Sequence, residues 1–202
     1  RNQMTNKFDK DVFSSGQILS KLWLCENLET IAKKYRMDEF QPLNIWVYGG
    51  WHGMMAFQIL VRNNLEIGRI SSFDIDPHCE RLADTYNNAW EWQAWMFKAY
   101  TMDCSDFNEI VKQHHYPNII INTAVEHFSD NSWWDTIPEN DSILCALQSN
   151  DMDTEDHHHE RIFTSLEQFD EEFSMTETCF KGTKNFTYPN WSFNRWMKIG
   201  FK

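Results

Sequence analysis

Several things are in short supply in this chain. No window of about 18 consecutive apolar residues occurs, which argues against a membrane-spanning helix. Basic residues are outnumbered: 18 Lys and Arg stand against 30 Asp and Glu, for a formal net charge of −12. No long basic run offsets that balance, so a phosphate backbone is repelled on average and nucleic acid is an unlikely partner. Cysteine is sparse and unpatterned. Cys25, Cys79, Cys104, Cys145 and Cys179 are odd in number and never form a C-x-x-C pair. They read as reduced thiols of an intracellular, cytoplasmic protein. Glycine is the most telling scarcity, because three of only seven glycines fall within five positions, in "YGGWHG".

At 202 residues, with 42% hydrophobic and 15% aromatic residues, the chain has the size and composition of one globular domain. Ten Trp are many, and some of them are candidates for a binding surface. Arg1 does not read as a native start, and "RNQMTNKFDK" lacks the apolar core of a secretion signal.

Along the chain, strand and helix signals alternate. "SGQILSKLWLCENLETIAKKY" spaces its apolar residues as a helix does, with Ser14 or Ser15 as cap. "LNIWVYG" reads as a buried strand, "GMMAFQILVRN" as a helix and "GRISSFDID" as a second strand. "DPHCERLADTYNNAWEWQ" places Pro77 in a first helical turn capped by Asp76. The strands "WMFKAYTMD", "PNIIINT" and "SILCALQSN" follow, separated by helices in "SDFNEIVKQHH" and "SDNSWWDTI". A polar loop, "DMDTEDHHHERIF", leads to a helix in "SLEQFDEEF". Two alternating runs then surround "YPNWS". The expectation is a single α/β domain: a Rossmann-like, mostly parallel sheet with helices on both faces and a C-terminal antiparallel hairpin. Its N-terminal helix covers about 14–35, a cofactor-binding half about 44–128 and a substrate-side half about 129–202.

In such sheets ligands bind beyond the carboxyl ends of the strands, where the glycine cluster falls. Gly49, Gly50 and Gly53 suit a strand-to-helix turn that brings backbone N–H groups against a ligand. They fit neither standard pattern fully. G-x-G-x-x-G is met by Tyr48, Gly50 and Gly53, and [DE]-x-G-x-G-x-G by Val47, Gly49, Trp51 and Gly53. A tight turn without a ligand is the plainer alternative. Asp74 closes the second strand where an acid can accept hydrogen bonds from ribose hydroxyls.

The ordered series of glycine turn, "FDIDP", "YTMDCSDF" and "IIINTAVEHF" resembles the motif series of class I S-adenosylmethionine-dependent methyltransferases. The likeness runs from about Ile45 to Asn150, and the chain is also similar to small phage-encoded methyltransferase-like proteins. The resemblance implies S-adenosylmethionine as cofactor and S-adenosylhomocysteine as product. It implies Asp74 on ribose and Asp103 with the Cys104 backbone on adenine. Asn122, Thr123, Glu126 and His127 would then face the sulfonium and the acceptor. The family's acid before the first glycine is replaced by Val47 and its middle glycine by Trp51. Glu126, or Gln17 together with Lys21 on the leading helix, is a candidate to replace that acid. A solvated helix face is the competing reading of Gln17 and Lys21.

Methyl transfer needs orientation and, for a protonated acceptor, a base. Glu126 and His127 are the candidates; "EHF" beginning a helix with Phe128 packed inward is the alternative. Gln148 and Asn150 could hydrogen-bond an acceptor. The "HHH" run, His157 to His159, reads as a solvated loop rather than a metal site, since consecutive side chains do not converge on one ion and no H-x-x-x-H occurs. No metal is expected. No G-x-S-x-G or P-loop is present. The sequence reads as a methyltransferase acting on a small molecule or a protein side chain. An NAD-dependent oxidoreductase and a non-catalytic S-adenosylmethionine-binding protein are the alternatives.

Overall fold

Alternation along the strands decides the layering of this molecule, seen in a computed structural model that describes residues 9–91, 96–139, 142–152 and 159–202. In β1 (Leu43–Tyr48), Ile45 and Val47 enter one core and Trp46 and Tyr48 the other, as successive strand residues must. The first core is mainly aliphatic and includes Leu24, Leu28, Met55, Ile59, Ile121 and Ile199. The second is aromatic, with Phe73, Phe107, Trp133, Phe169, Phe173 and Trp196. Most of the tryptophans thus serve packing. Each fully buried large side chain contributes about 1.5–3 kcal/mol of transfer free energy.

The chain runs through α1 (Ser15–Lys34), β1, α2 (Met54–Arg62), β2 (Ile67–Asp74), α3 (Pro77–Tyr86), the short α4 (Asn88–Glu91) and β3 (Phe97–Thr101). It continues through α5 (Phe107–Val111), β4 (Ile119–Asn122), α6 (Ser132–Asp135), β5 (Leu144–Asn150), α7 (Leu166–Glu172), β6 (Glu177–Thr187) and β7 (Ser192–Phe201). Short 3-10 turns lie at Lys10–Phe13 and Val125–His127. The sheet order is β3-β2-β1-β4-β5-β7-β6. Its first five members are parallel, and β7 is antiparallel to both β5 and β6. The expected sheet, helices on both faces and closing hairpin are all present. Residues 92–95, which take in the end of the expected third helix and the start of the expected strand after it, and residues 153–158 of the polar loop lie outside the described residues.

Local chemistry sets the helix starts. Ser14 accepts the Gln17 N–H at 3.3 Å, and Asp76 accepts the His78 N–H at 2.9 Å ahead of Pro77. Helix α1 is fastened to α2 by Arg62, whose Nε and Nη2 donate to the two Glu29 oxygens at 2.5 and 2.7 Å. Burial alone would raise the Glu29 carboxyl, but hydrogen bonds from Arg62 and Asn64 hold it below the usual range. That fastening joins the C-terminal part of α1 to the end of α2. All five cysteines are free thiols, and among the described residues no helix is long and apolar enough to cross a membrane.

Candidate functional site

The turn after β1 is built by close approach. Gly49 has φ +59° and Gly53 φ +76°, and Trp51 between them takes φ +47°, a region that costs a side-chain-bearing residue strain. A Cβ on Gly50 would lie 1.8 Å from Ser72 Oγ, and one on Gly49 3.1 Å from the Ala124 Cβ. The turn is tied to the end of β2: Gly50 N–H donates to the Phe73 carbonyl at 3.0 Å and Trp51 N–H to Asp74 Oδ2 at 2.8 Å. Asp74 Oδ1 accepts the Asp76 N–H at 3.0 Å. A carboxylate offers about four acceptor positions, so Asp74 organises the turn and keeps acceptor capacity toward the space beyond it.

That space is a cavity of about 1540 Å³ beyond the carboxyl ends of the parallel strands. Of the residues singled out in the sequence, Gln17, Gly49, Gly50, Asp74, Asp103, Cys104, Thr123, Glu126 and His127 all line it. Two do not. Gly53 packs α2 on α3, where the Asn87 amide donates to its carbonyl at 3.2 Å and occupies the place a Cβ would take. Asn122 is fully buried, its Oδ1 accepting the Ala124 N–H at 2.9 Å. Asp103 is exposed, with Oδ1 on the Ser105 N–H at 2.9 Å. The Cys104 thiol is buried, and desolvation pushes it well above the ordinary thiol range, which leaves it chemically quiet. A second groove, of about 430 Å³ beside α3, involves Glu80, Arg81 and Asp84 and is lined by none of the glycine-turn residues.

The opposite wall gathers buried charge. Glu126 accepts from Ser149 Oγ at 3.1 Å and from the Asn150 amide, and Arg195 Nη1 lies 3.6 Å from its Oε1. Arg195 reaches this position because it pairs with Asn150 in the antiparallel β5–β7 register. Its Nε is buried without a hydrogen-bond partner. Lys21, also buried, donates to the Gln17 side chain, so these two helix residues do turn inward together. Burial first, and Arg195 second, push Lys21 down to about 7, while Glu126 and Asp11 act in the opposite direction. Gln148 is fully buried and donates to the Ser20 carbonyl at 2.9 Å, away from the cavity.

At the mouth, His127 and His159 meet edge to face with ring centroids 5.0 Å apart. Trp191 and Phe193 complete the rim from the C-terminal hairpin. Phe128 packs at 5.4 Å on Trp133 while also lining the cavity, so "EHF" combines an inward aromatic with site residues. Arg195 escaped sequence reasoning, and His159, read as part of a solvated loop, lines the cavity. The available signal was a charged residue inside the apolar alternation of "FNRWMKIGF".

No family model and no curated protein matches the sequence. Solved structures of similar fold include the N-methyltransferase NodS from Bradyrhizobium japonicum WM9 in complex with S-adenosylhomocysteine. It is 9% identical at a TM-score of 0.63, with 95% of this chain and 90% of that one covered. The plantazolicin methyltransferase BpumL, also in complex with S-adenosylhomocysteine, is 11% identical at a TM-score of 0.54, covering 93% of this chain and 89% of its own. The CurJ carbon methyltransferase is 15% identical at 0.53, over 86% of this chain and 54% of that one. At such identities the likeness is one of fold alone, and in this chain that fold is built on the seven-stranded mixed sheet.

Proposed function

We propose that this protein is an S-adenosylmethionine-dependent methyltransferase acting on a small molecule or a protein side chain. One observation carries the reading: a single cavity joins the glycine turn, Asp74 and Asp103 on one side to Thr123, Glu126 and His127 on the other. Asp74 holds the ribose hydroxyls with the acceptor capacity left after its two backbone bonds, and Asp103 with the Cys104 backbone meets the adenine. Gln17 and Lys21 close over the amino-acid end from α1, in the place of the acid that Val47 lacks. Two of the methyltransferases of similar fold are complexes with S-adenosylhomocysteine, which supports that ligand here.

Single-ligand pockets commonly enclose about 300–1,000 Å³, so a cavity of about 1540 Å³ leaves room for an acceptor. In the transfer, the acceptor lone pair forms the new bond to the methyl carbon as the carbon–sulfur bond breaks, and its electrons return to sulfur. Any acceptor proton leaves to a group on the Glu126–His127 wall. Glu126 is already engaged with Arg195, Ser149 and Asn150, so its part is to orient, and the exposed His127 imidazole is the group able to take a proton.

The test is a thermal-shift titration with S-adenosylmethionine, S-adenosylhomocysteine, NAD and NADP. A ligand at about a hundred times its Kd stabilises a fold by roughly 2.7 kcal/mol, which raises the midpoint of a domain this size by about 5–11 °C. The adenosyl sulfur ligands are expected to shift it and the nicotinamide cofactors to leave it in place. A shift with NAD alone would make the protein an oxidoreductase. Binding of S-adenosylmethionine without transfer to any acceptor would make it a binding protein.

A further inference from the structure

One cluster at the cavity mouth has a composition that methyl transfer does not require. Glu126, His127 and His159 each place a ligand-type atom within 4.8 Å of the others. They come from two segments that β4 and β5, neighbours in the sheet, deliver to the same end: the turn Val125–His127 and the stretch leading into α7. The Glu126 carbonyl accepts the Glu160 and Arg161 N–H groups at 2.9 and 3.1 Å, which holds the two segments together directly beside His159.

Two further contacts prepare these side chains. His159 Nδ1 lies 2.8 Å from the Met152 carbonyl oxygen. A carbonyl only accepts, so Nδ1 carries the proton and the neutral ring has its lone pair on Nε2. Metal-binding histidines characteristically hold their second ring nitrogen in this way. Glu126 is likewise fixed before any ion arrives, by Ser149 on Oε2 and by Asn150 and Arg195 on Oε1. Ser149 uses one of the acceptor positions of Oε2 and leaves another.

We propose that Glu126, His127 and His159 form a site for one divalent transition-metal ion at the mouth of the cavity. Two imidazoles and a carboxylate suit zinc, cobalt, manganese or iron rather than magnesium or calcium, which prefer all-oxygen shells. Bonds of about 2.0–2.2 Å place two ligand atoms roughly 3.4 Å apart on a tetrahedral ion. His127, exposed on the wall, can close that gap by side-chain rotation. Three protein ligands leave a coordination position toward the cavity, and an oxygen bound there is acidified by the ion. In the metal-loaded protein that oxygen takes over the proton handling that His127 performs without the ion. The neighbouring Arg195 makes an anionic fourth ligand the favoured one.

The experiment uses the full chain, stripped with chelator and titrated with Co2+ by visible absorption and with Zn2+ by calorimetry, in the absence of any adenosyl ligand. One equivalent is expected to bind, with the intense d–d bands of a low-coordinate cobalt site. His127→Gln and His159→Gln should each weaken binding at least tenfold, whereas the His157→Gln/His158→Gln double variant should retain wild-type affinity. Thermal melts of each variant verify the fold, and His127→Gln, at an exposed position, keeps the test informative if His159→Gln unfolds. The proposal is overturned if the wild type binds no equivalent, if the His127→Gln/His159→Gln variant binds as wild type does, or if binding follows His157 and His158. None of these readouts depends on methyl transfer, so the two readings stand or fall separately.

Discussion

The Trp51 backbone N–H donates to Asp74 Oδ2 at 2.8 Å, so the turn after the first strand is anchored on the acid that ends the second. The side chain assigned to ribose is therefore also a strut of the glycine turn. Asp74→Ala should weaken S-adenosylhomocysteine binding by about 1.5–3 kcal/mol, the range for a charge-assisted hydrogen bond, and should lower the melting midpoint of the unliganded protein as well. Calorimetry with S-adenosylhomocysteine and a melt without it separate the two effects. Unchanged affinity would remove Asp74 from the ligand site.

Gly50→Ala is expected to destabilise the protein by about 1–3 kcal/mol through overpacking, because its Cβ would sit 1.8 Å from Ser72 Oγ. The obstruction is one hydroxyl. Gly50→Ala/Ser72→Ala should therefore recover part of the loss in a denaturant titration, although the Ser72 Cβ, at 3.2 Å, remains close. No recovery would mean that the backbone, not Ser72, limits the turn.

Arg195→Met leaves Glu126 buried without its guanidinium partner. Removing one member of a buried pair costs about 3–5 kcal/mol. Replacing both, as Glu126→Gln/Arg195→Met, should cost clearly less than the sum of the single changes. A double-mutant cycle in urea measures the coupling, and additive single effects would show the 3.6 Å pair to be energetically idle.

Lys21 makes a pH-dependent contribution of definite sign. Its pKa falls from 10.5 to about 7 in the folded protein, chiefly by desolvation and then by Arg195. Between those values the unfolded chain holds a proton that the folded chain has released, so this group makes stability rise with pH across that window. Lys21→Met should melt above wild type near pH 7, with the advantage shrinking as pH approaches 10. An advantage independent of pH would place the Lys21 proton outside this account.

The order of the elements was legible because the parallel strands are short, because β1 runs into glycine and β2 ends on an acid, and because Ser14 and Asp76 are local caps acting within three residues. Sites read from strand ends were likewise accessible, as Asp74 and Thr123 illustrate. What could not be read was register. Arg195 faces Glu126 only because β7 pairs antiparallel with β5 so that residue 195 lies opposite 150, an alignment no local pattern encodes. The alternation of β4 hid a second point. Asn122 ends the strand with its side chain turned to cap the Ala124 N–H, so adjacency to Thr123 in sequence does not put the two on one surface. Gly53 shows the same limit, since its partner Asn87 lies 34 residues away.

The sheet order leaves β6 outermost, an 11-residue strand whose far rim of peptide groups has no neighbouring strand among the described residues. Such a rim is a template for pairing with another molecule. Three features oppose this: a register irregularity between Thr178 and Phe180, and two lysines, Lys181 on Asp170 and Lys184 over the rings of Trp23 and Phe186. Neutralising Lys181 and Lys184 would remove two of these three features and is expected to favour pairing at this edge, with no change to the lining of the cavity.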